Sequence, residues 1–472
     1  MTQADDGQFK RSLGLLDGTM LVAGSMIGSG IFIVSADIAR TVASPALLVF
    51  VWMLTGVMTV ICALSYGELS AMYPRAGGQY VYLREAYSRL VAFLYGWAFF
   101  AVIQTGTIAA VGVAFAKFAA YLVPALGDQH VIATIGSFRL NAAQLVSIAL
   151  VLFLTWVNSR GINGGKWIQT SFTLAKIAAV VALVACGLLL GARAESWQAN
   201  WSMPALPVAV DGGIGSLGIP LVAAIAVSMV GSLFSADAWN SATFIAGEIR
   251  DPRRNVGRSL LLGTGIVCTL YVLMNLMYLA VLPLDGIAHA EADRVGVVAA
   301  QAIFGNAGTT VIAALIMVST FGCINGLVLS GARVYYTMAQ DGLFFRRAGT
   351  LNRNAVPGWG LWIQGAWASL LCLSGRYGDL LDYVVFVVLI FYVLTMAGIF
   401  ILRRKRPDAE RPYRAVGYPV LPALYIVLAL VICGYLLAYK PYYTWPGLII
   451  VALGIPLYFA LSRRAGEPAA TS

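Results

Sequence analysis

Apolar stretches of about 20 residues recur along almost the whole chain. A helix of that length matches the hydrocarbon layer of a bilayer, which is about 30 Å thick. Charged residues make up 11% of the chain, whereas soluble domains need about 25% to keep their surface solvated. The sequence therefore predicts an all-α integral membrane protein, with the lipid bilayer as its solvent.

Hydropathy and helix-breaking residues predict twelve transmembrane helices. Their predicted bounds are 13–42, 45–71, 89–123, 141–158, 166–191, 218–247, 258–283, 308–338, 358–374, 379–402, 419–438 and 443–462. Residues 1–12 and 463–472 are predicted to form polar tails. Residues 13–462 are predicted to form one transmembrane domain.

The placement of lysine and arginine indicates the orientation. An even number of spans puts both termini on one side, and cytoplasmic loops carry an excess of these residues. If the termini are inside, most of the 31 basic residues fall in inside loops. The outside loops then hold Arg40, Arg139, Arg193, Arg294, Arg376 and Lys440. We expect a multi-pass protein of the plasma or inner membrane with cytoplasmic termini, and the net charge of +10 needs no nucleic-acid partner.

A glycine cluster interrupts the first predicted span at Gly24, Gly28 and Gly30, with Ser25 and Ser29 between them. Each glycine costs a helix roughly 1 kcal/mol relative to alanine. Non-helical backbone at membrane depth survives only where it lines a cavity or is buried in protein. Gly24 and Gly28 could instead serve close helix packing. For Gly28, Ser29 and Gly30 together, we expect an unwound segment.

The sixth predicted span contains a carboxylate, Asp237, close to the amide Asn240. An acidic residue at membrane depth marks a functional site by default, although Asp237 could also simply cap a helix end. Spans one and six would cross the membrane in opposite directions, as the first helices of two five-span halves. Transporters built from inverted repeats place broken helices at such matching positions, with the binding site between them.

The predicted fold is therefore a 5+5 inverted repeat of the LeuT type, with discontinuous helices 1 and 6 and two further C-terminal helices. The predicted parts are a first repeat at 13–191, a second repeat at 218–402, and helices 11 and 12 at 419–462. In this fold a half-helix starting near Ile31 would offer free amides to an anion. Carbonyls near Met26 and Phe234 would suit an ammonium group. Together they would bind the two ends of an α-amino acid.

At these residues the chain resembles the amino acid–polyamine–organocation superfamily, and within it the L-type amino acid transporter branch. The motifs that carry the likeness are Gly-Ser-Met-Ile-Gly-Ser-Gly-Ile-Phe at 24–32, Phe234 to Asn240, the loop from Tyr66 to Tyr80, Phe321 to Gly326, and the basic run Arg403 to Arg414. The likeness covers roughly residues 12–462.

The resemblance implies roles for individual residues in substrate binding. Amides around Gly28, Ser29 and Gly30 would hold the substrate carboxylate, while the carbonyls of Met26, Phe234 and Asp237 would take its amino group. The residues that the resemblance assigns to the substrate site are Met26, Ile27, Gly28, Ser29, Gly30, Phe234, Ser235 and Asp237. The ring of Phe234 would cap the substrate from outside.

Lys176 lies where sodium-independent relatives have a lysine in span five. Its charge could replace a sodium ion and link span one to span eight, or it could take up and release a proton. The alternative is a lysine that snorkels to the membrane surface. Lys117, nearer the end of span three, fits that alternative better.

The chain also departs from the family pattern. Asp237 and Ala238 stand where the family commonly has glycine, which puts the usual pocket for neutral substrates in doubt. A carboxylate there could serve proton coupling or an additional cation on the substrate. The loop at 124–140 has no cysteine, so we expect no disulfide-linked heavy chain. We expect no cofactor and no metal.

The sequence predicts a secondary active transporter for amino acids, with a preference for neutral L-amino acids, working by sodium-independent exchange or proton symport. One alternative is a receptor that binds amino acids without moving them. Another is a permease of the same fold for cationic amino acids or polyamines. An enzyme is not expected, because the spans offer no nucleophile with a base, no paired acids and no metal cluster.

Overall fold

The computed structural model describes Phe9 and residues 11–136, 138–207, 214–374 and 377–465. The predicted tails at 1–12 and 463–472 lie largely outside the described residues. The α-helices are α1 Leu15–Met26, α2 Gly30–Val42, α3 Pro45–Met72, α4 Gln79–Ala86, α5 Arg89–Ala98, α6 Gln104–Leu122, α7 Ala142–Ser159, α8 Ile162–Cys186, α9 Ala194–Ser202, α10 Leu221–Ser235, α11 Ser241–Phe244, α12 Pro252–Val281, α13 Leu284–Ala288, α14 Val295–Phe304, α15 Asn306–Gln340, α16 Gly358–Ser374, α17 Tyr377–Lys405, α18 Val420–Tyr439 and α19 Pro441–Ala465.

Shorter elements join these helices. Two π-helical turns extend α5 and α8, at Phe99–Ile103 and Gly187–Gly191. The 3-10 turns are Pro124–Leu126, Gly215–Leu217, Ala246–Glu248, Glu291–Asp293 and Arg346–Gly349. An antiparallel hairpin of β1 Val131–Ile135 and β2 Phe138–Asn141 occupies the loop between α6 and α7.

Many of the helices have the length and apolarity of membrane spans. In the described part of the chain, nine helical stretches pass both tests, or ten if the bent pair α1 and α2 is one span. The protein is therefore a multi-pass membrane protein. α10 and α16 are shorter, with 15 and 17 residues, and lie at two further predicted spans. The count of twelve spans and the inverted repeat stay predictions.

The packing places the interrupted helices in the middle of the bundle. α12 packs along both α3 and α1, and α15 packs against α6 and α8. α2 lies beside α10, and α1 contacts α8 and α15. Because α1, α2 and α10 are enclosed by long continuous helices, their irregular ends are shielded from lipid, as non-helical backbone in a membrane requires.

Candidate functional site

The first predicted span is broken. α1 ends at Met26, α2 begins at Gly30, and the two helices are bent by 41° relative to each other. Ile27 has extended backbone, with φ −73° and ψ 90°. The break therefore comprises Ile27, Gly28 and Ser29, and the expectation that Gly30 is also unwound was wrong.

Gly30 serves close packing instead. As the first residue of α2, it lies against the end of α10, and a Cβ added there would come within 2.7 Å of the Ser235 Cβ. That distance is shorter than real Cβ contacts. The glycine thus brings the N-terminal end of α2 next to the C-terminal end of α10, which places the two interrupted spans side by side.

The ammonium group of Lys176, from α8, lies inside this break. Its Nζ donates to the carbonyls of Gly24 at 2.5 Å and Ile27 at 2.7 Å, and to the Ser319 carbonyl of α15 at 3.2 Å. Lys176 is 1% exposed, so a lysine that snorkels to the membrane surface does not fit this placement. The side chain joins the broken first span to α15.

Two α15 side chains contact the same break, and sequence reasoning missed both. Ser319 Oγ donates to the Ile27 carbonyl at 3.0 Å and lies 3.2 Å from the Gly28 carbonyl. Cys323 Sγ donates to the Ser25 carbonyl at 2.9 Å. Their spacing of four residues puts them on one face of a helix. That spacing of small polar residues in an apolar span was the available signal.

The second break separates α10 from α11. α10 ends at Ser235 and α11 begins at Ser241, so the predicted span 218–247 is not one continuous helix. Ala238, between them, has φ 64°, a left-handed conformation that disfavours residues with a side chain. The chain makes this left-handed turn with an alanine instead of a glycine.

Asp237 lies in this second break. Its Oδ1 accepts a hydrogen bond from the Tyr392 hydroxyl of α17 at 2.5 Å. The Tyr392 ring packs against Trp239 and Tyr66, with centroids 5.5 and 6.0 Å apart. Within the described residues, no lysine or arginine forms an ion pair with Asp237. The carboxyl group therefore has a hydroxyl partner among aromatic rings, and this partner could not be identified from the sequence alone.

Tyr271 of α12 connects the two breaks. Its hydroxyl lies 2.9 Å from the Met26 carbonyl and 3.1 Å from the Ser235 carbonyl. The Phe234 carbonyl accepts from the amide of Asp237 at 3.2 Å. The Met26 and Phe234 carbonyls, which were expected to take a substrate amino group, thus already accept a hydrogen bond each. A carbonyl has two lone pairs, so each can accept a second donor.

Two narrow cavities flank Asp237 and Tyr392, which line both. The first is lined by α5, α6, α15 and α17 residues together with Gln79 and Asn240. The second lies toward Cys62 of α3 and α18. Of the predicted site residues, only Asp237 lines these cavities. The others are buried where the two breaks meet.

Comparison with known proteins assigns the chain to a family. The sequence matches the amino acid permease family over residues 13–459. It is 27% identical to the b(0,+)-type amino acid transporter 1 of Homo sapiens, covering 95% of this chain and 88% of that one. It is also 27% identical to the serine/threonine exchanger SteT of Bacillus subtilis, covering 98% and 99%.

A third relative is the Asc-type amino acid transporter 1 of Mus musculus, at 26% identity over 95% of this chain and 81% of that one. All three relatives are transporters or exchangers rather than enzymes. The family match, the apolar helices and the predicted motifs agree. The chain therefore belongs to the amino acid permease family of the amino acid–polyamine–organocation superfamily.

Proposed function

We propose that this protein is a secondary active transporter that moves neutral L-amino acids across a cell membrane, by sodium-independent exchange or proton symport. The observation that carries the proposal is the meeting of two broken helices, where Lys176 holds the first break and Tyr271 bridges both. Such a meeting point offers backbone donors and acceptors at membrane depth.

The substrate carboxylate would bind at the start of α2. The first amides of a helix have no acceptor within it, and the helix dipole places positive charge there. The Phe32 amide already donates to the Ser29 carbonyl at 3.0 Å. The amides of Gly30 and Ile31 come before it, so they are the donors that we assign to the carboxylate.

The substrate amino group would bind at the ends of α1 and α10. These ends present the Met26 and Ser235 carbonyls on either side of the Tyr271 hydroxyl. One hydroxyl has one proton to donate, so it fully satisfies only one of the two carbonyls at a time. An ammonium group with three protons can satisfy both, which favours a zwitterionic amino acid over a simple anion.

Lys176 supports the sodium-independent part of the proposal. Its ammonium contacts the Gly24, Ile27 and Ser319 carbonyls, an oxygen set from two helices that would suit a small cation. A positive charge held in that place makes a bound cation unnecessary. A lysine can also release its proton when its surroundings change, which leaves proton symport open beside exchange.

Asp237 favours a second candidate, a permease for cationic amino acids. Its carboxyl group has the Tyr392 hydroxyl as partner and no ion pair with a described basic residue. A buried carboxylate is strongly stabilised by an opposite charge, and a cationic substrate side chain would supply one. Competition by arginine and lysine against labelled alanine, serine and leucine distinguishes the two candidates.

The proposed topology places both termini in the cytoplasm, as the distribution of basic residues predicts. We also propose that the chain works without a disulfide-linked partner, because residues 124–140 contain no cysteine. Co-expression with a single-pass partner would then leave uptake unchanged.

Counterflow in proteoliposomes tests the proposed function. Vesicles loaded with an unlabelled amino acid should accumulate the labelled one transiently, with saturation. The variant S29W, which places a large ring inside the first break, should abolish both binding and accumulation. Binding by the unmodified protein without accumulation would instead establish a receptor that does not transport.

A further inference from the structure

Backbone hydrogen bonds join the two broken spans near the amino-terminal end of the chain. The Leu13 amide donates to the Glu248 carbonyl at 3.0 Å, and the Arg250 amide donates to the Leu13 carbonyl at 2.8 Å. This is a short parallel bridge between the residues before α1 and the residues after α11. Any movement of one segment would therefore carry the other with it.

The side chain of Glu248 connects this joined unit to α15. Arg333 Nε donates to Glu248 Oε1 at 2.8 Å, and Nη2 donates to Oε2 at 3.3 Å. The Arg333 guanidinium also donates to the Leu329 carbonyl. The two side chains are 0% and 2% exposed, so each charge depends on the other for its neutralisation.

Further contacts close the same end of the bundle. The Phe9 ring lies 5.0 Å from the Tyr336 ring. Thr337 Oγ1 donates to the Ala76 carbonyl, and the Gly77 amide donates to the Phe244 carbonyl, each at 3.0 Å. These contacts close the end of the helix bundle beyond Asn240, a residue that lines the first cavity.

We propose that the Glu248–Arg333 ion pair is a clasp that holds this end of the transport pathway closed, and that the Leu13 bridge makes both broken spans open as one unit. Removing one partner of a buried pair leaves the other charge uncompensated. Opening would expose that charge to water, which stabilises the open state relative to the closed one. The inference rests on the proposed transport function.

A cysteine in the first cavity reports whether the clasp is open. Thr107 lines that cavity, and T107C keeps a side chain of similar size. Modification by a membrane-impermeant maleimide is timed in inside-out vesicles, with the chain lacking the added cysteine as background. E248Q should raise the modification rate about tenfold, which corresponds to about 1.4 kcal/mol in the opening equilibrium.

A matched control neutralises another acid at the same end of α15. Asp341 pairs with Arg84 of α4 at 2.6 Å, and it does not contact the joined unit through Glu248 or Leu13. D341N should leave the T107C modification rate within twofold of the parent. An equal rise in D341N and E248Q, or no rise in a folded E248Q, would overturn the clasp.

The charge swap E248R/R333E restores a pair of opposite charges, so its modification rate should return to that of the parent. A folded swap variant that is modified as fast as E248Q contradicts the proposal. Folding is judged by thermal unfolding temperature and chromatographic profile.

A second pair of variants keeps the test decisive if E248Q does not fold. L13P removes the amide that donates to the Glu248 carbonyl, whereas L13A keeps it, and neither touches a buried charge. L13P should be modified about fivefold faster than L13A, and equal rates would refute the joined unit. Modification needs no amino acid substrate, so failure of the clasp can be told apart from failure of transport, which counterflow measures.

Discussion

Both breaks interrupt an apolar helix, but the charged groups in them have opposite signs. The first break contains a cation from another helix, Lys176, whose ammonium faces the Gly24 and Ile27 carbonyls. The second contains its own acid, Asp237, paired with the Tyr392 hydroxyl. The first break is therefore held by a charged side chain within the protein. The carboxyl group in the second break has no cationic partner among the described residues. We infer that the second break is the more adaptable one.

The largest effect is expected when the Lys176 ammonium is removed from the first break. K176A would remove the ammonium that donates to three buried carbonyls, of Gly24, Ile27 and Ser319, and hydrogen bonds to charged groups contribute about 1.5–3 kcal/mol each. We expect uptake per folded molecule to fall by about 100-fold or more, equivalent to about 2.8 kcal/mol. Uptake by purified, reconstituted protein is the measurement.

Lys117 offers a matched control, because it is a second lysine within a predicted span and forms none of the bonds seen at the break. K117A should keep uptake near the parent value. Equal uptake by K176A and K117A would contradict the claim that the Lys176 ammonium holds the first break in place.

The next effect concerns the contact between the two breaks. G30A adds a Cβ that collides with Ser235, so it should push α2 away from α10 and weaken substrate binding by about tenfold, roughly 1.4 kcal/mol. The double variant G30A/S235G removes the colliding Cβ and should recover part of the affinity. Isothermal titration of each variant checks this, and wild-type affinity in G30A would mean that the two ends need not touch.

A smaller and more selective effect is expected at the second break. D237N keeps an acceptor for Tyr392 and removes the charge. Neutral amino acid uptake should stay within about threefold of the parent, while inhibition by arginine or lysine should weaken by about tenfold, as expected for one lost ion pair of about 1.4 kcal/mol. The measurement is the inhibition constant of arginine or lysine against uptake of labelled alanine. An unchanged constant for arginine would show that Asp237 does not contribute to substrate selection.

An effect smaller than the tenfold change in inhibition by D237N is expected from Y392F, which removes one hydroxyl and keeps the ring that packs on Trp239. A single hydrogen bond contributes about 1 kcal/mol net, so uptake should change by about fivefold at most. A loss as large as that of K176A would show that the second break is as rigidly held as the first.

The sequence predicted what depends on local patterns. Hydropathy located 45–71 and 308–338 within a few residues of α3 and α15, because burial in lipid requires a continuous apolar stretch. The glycine cluster located the first break and the intramembrane acid Asp237 located the second. Weak helix propensity and a charge within an apolar span are both visible without knowledge of any neighbouring helix. The first break lies one residue earlier than predicted, at residues 27–29 instead of 28–30, and close packing rather than unwinding explains Gly30.

The partners at the breaks could not be predicted in the same way. Tyr271, Ser319 and Tyr392 lie far along the chain from the residues they contact. Their selection depends on which helices are neighbours and on how each helix is rotated about its axis. Neither is encoded in a local pattern, and a tyrosine or serine in an apolar span is common enough to carry no signal alone.

The most direct test of the account is amino acid counterflow with sodium replaced by choline on both sides of the vesicle membrane. If Lys176 supplies the positive charge at the first break, the initial rate in choline should equal the rate in sodium within experimental error. Counterflow that requires sodium would contradict the assignment of that charge to Lys176, and with it the contrast between the two breaks.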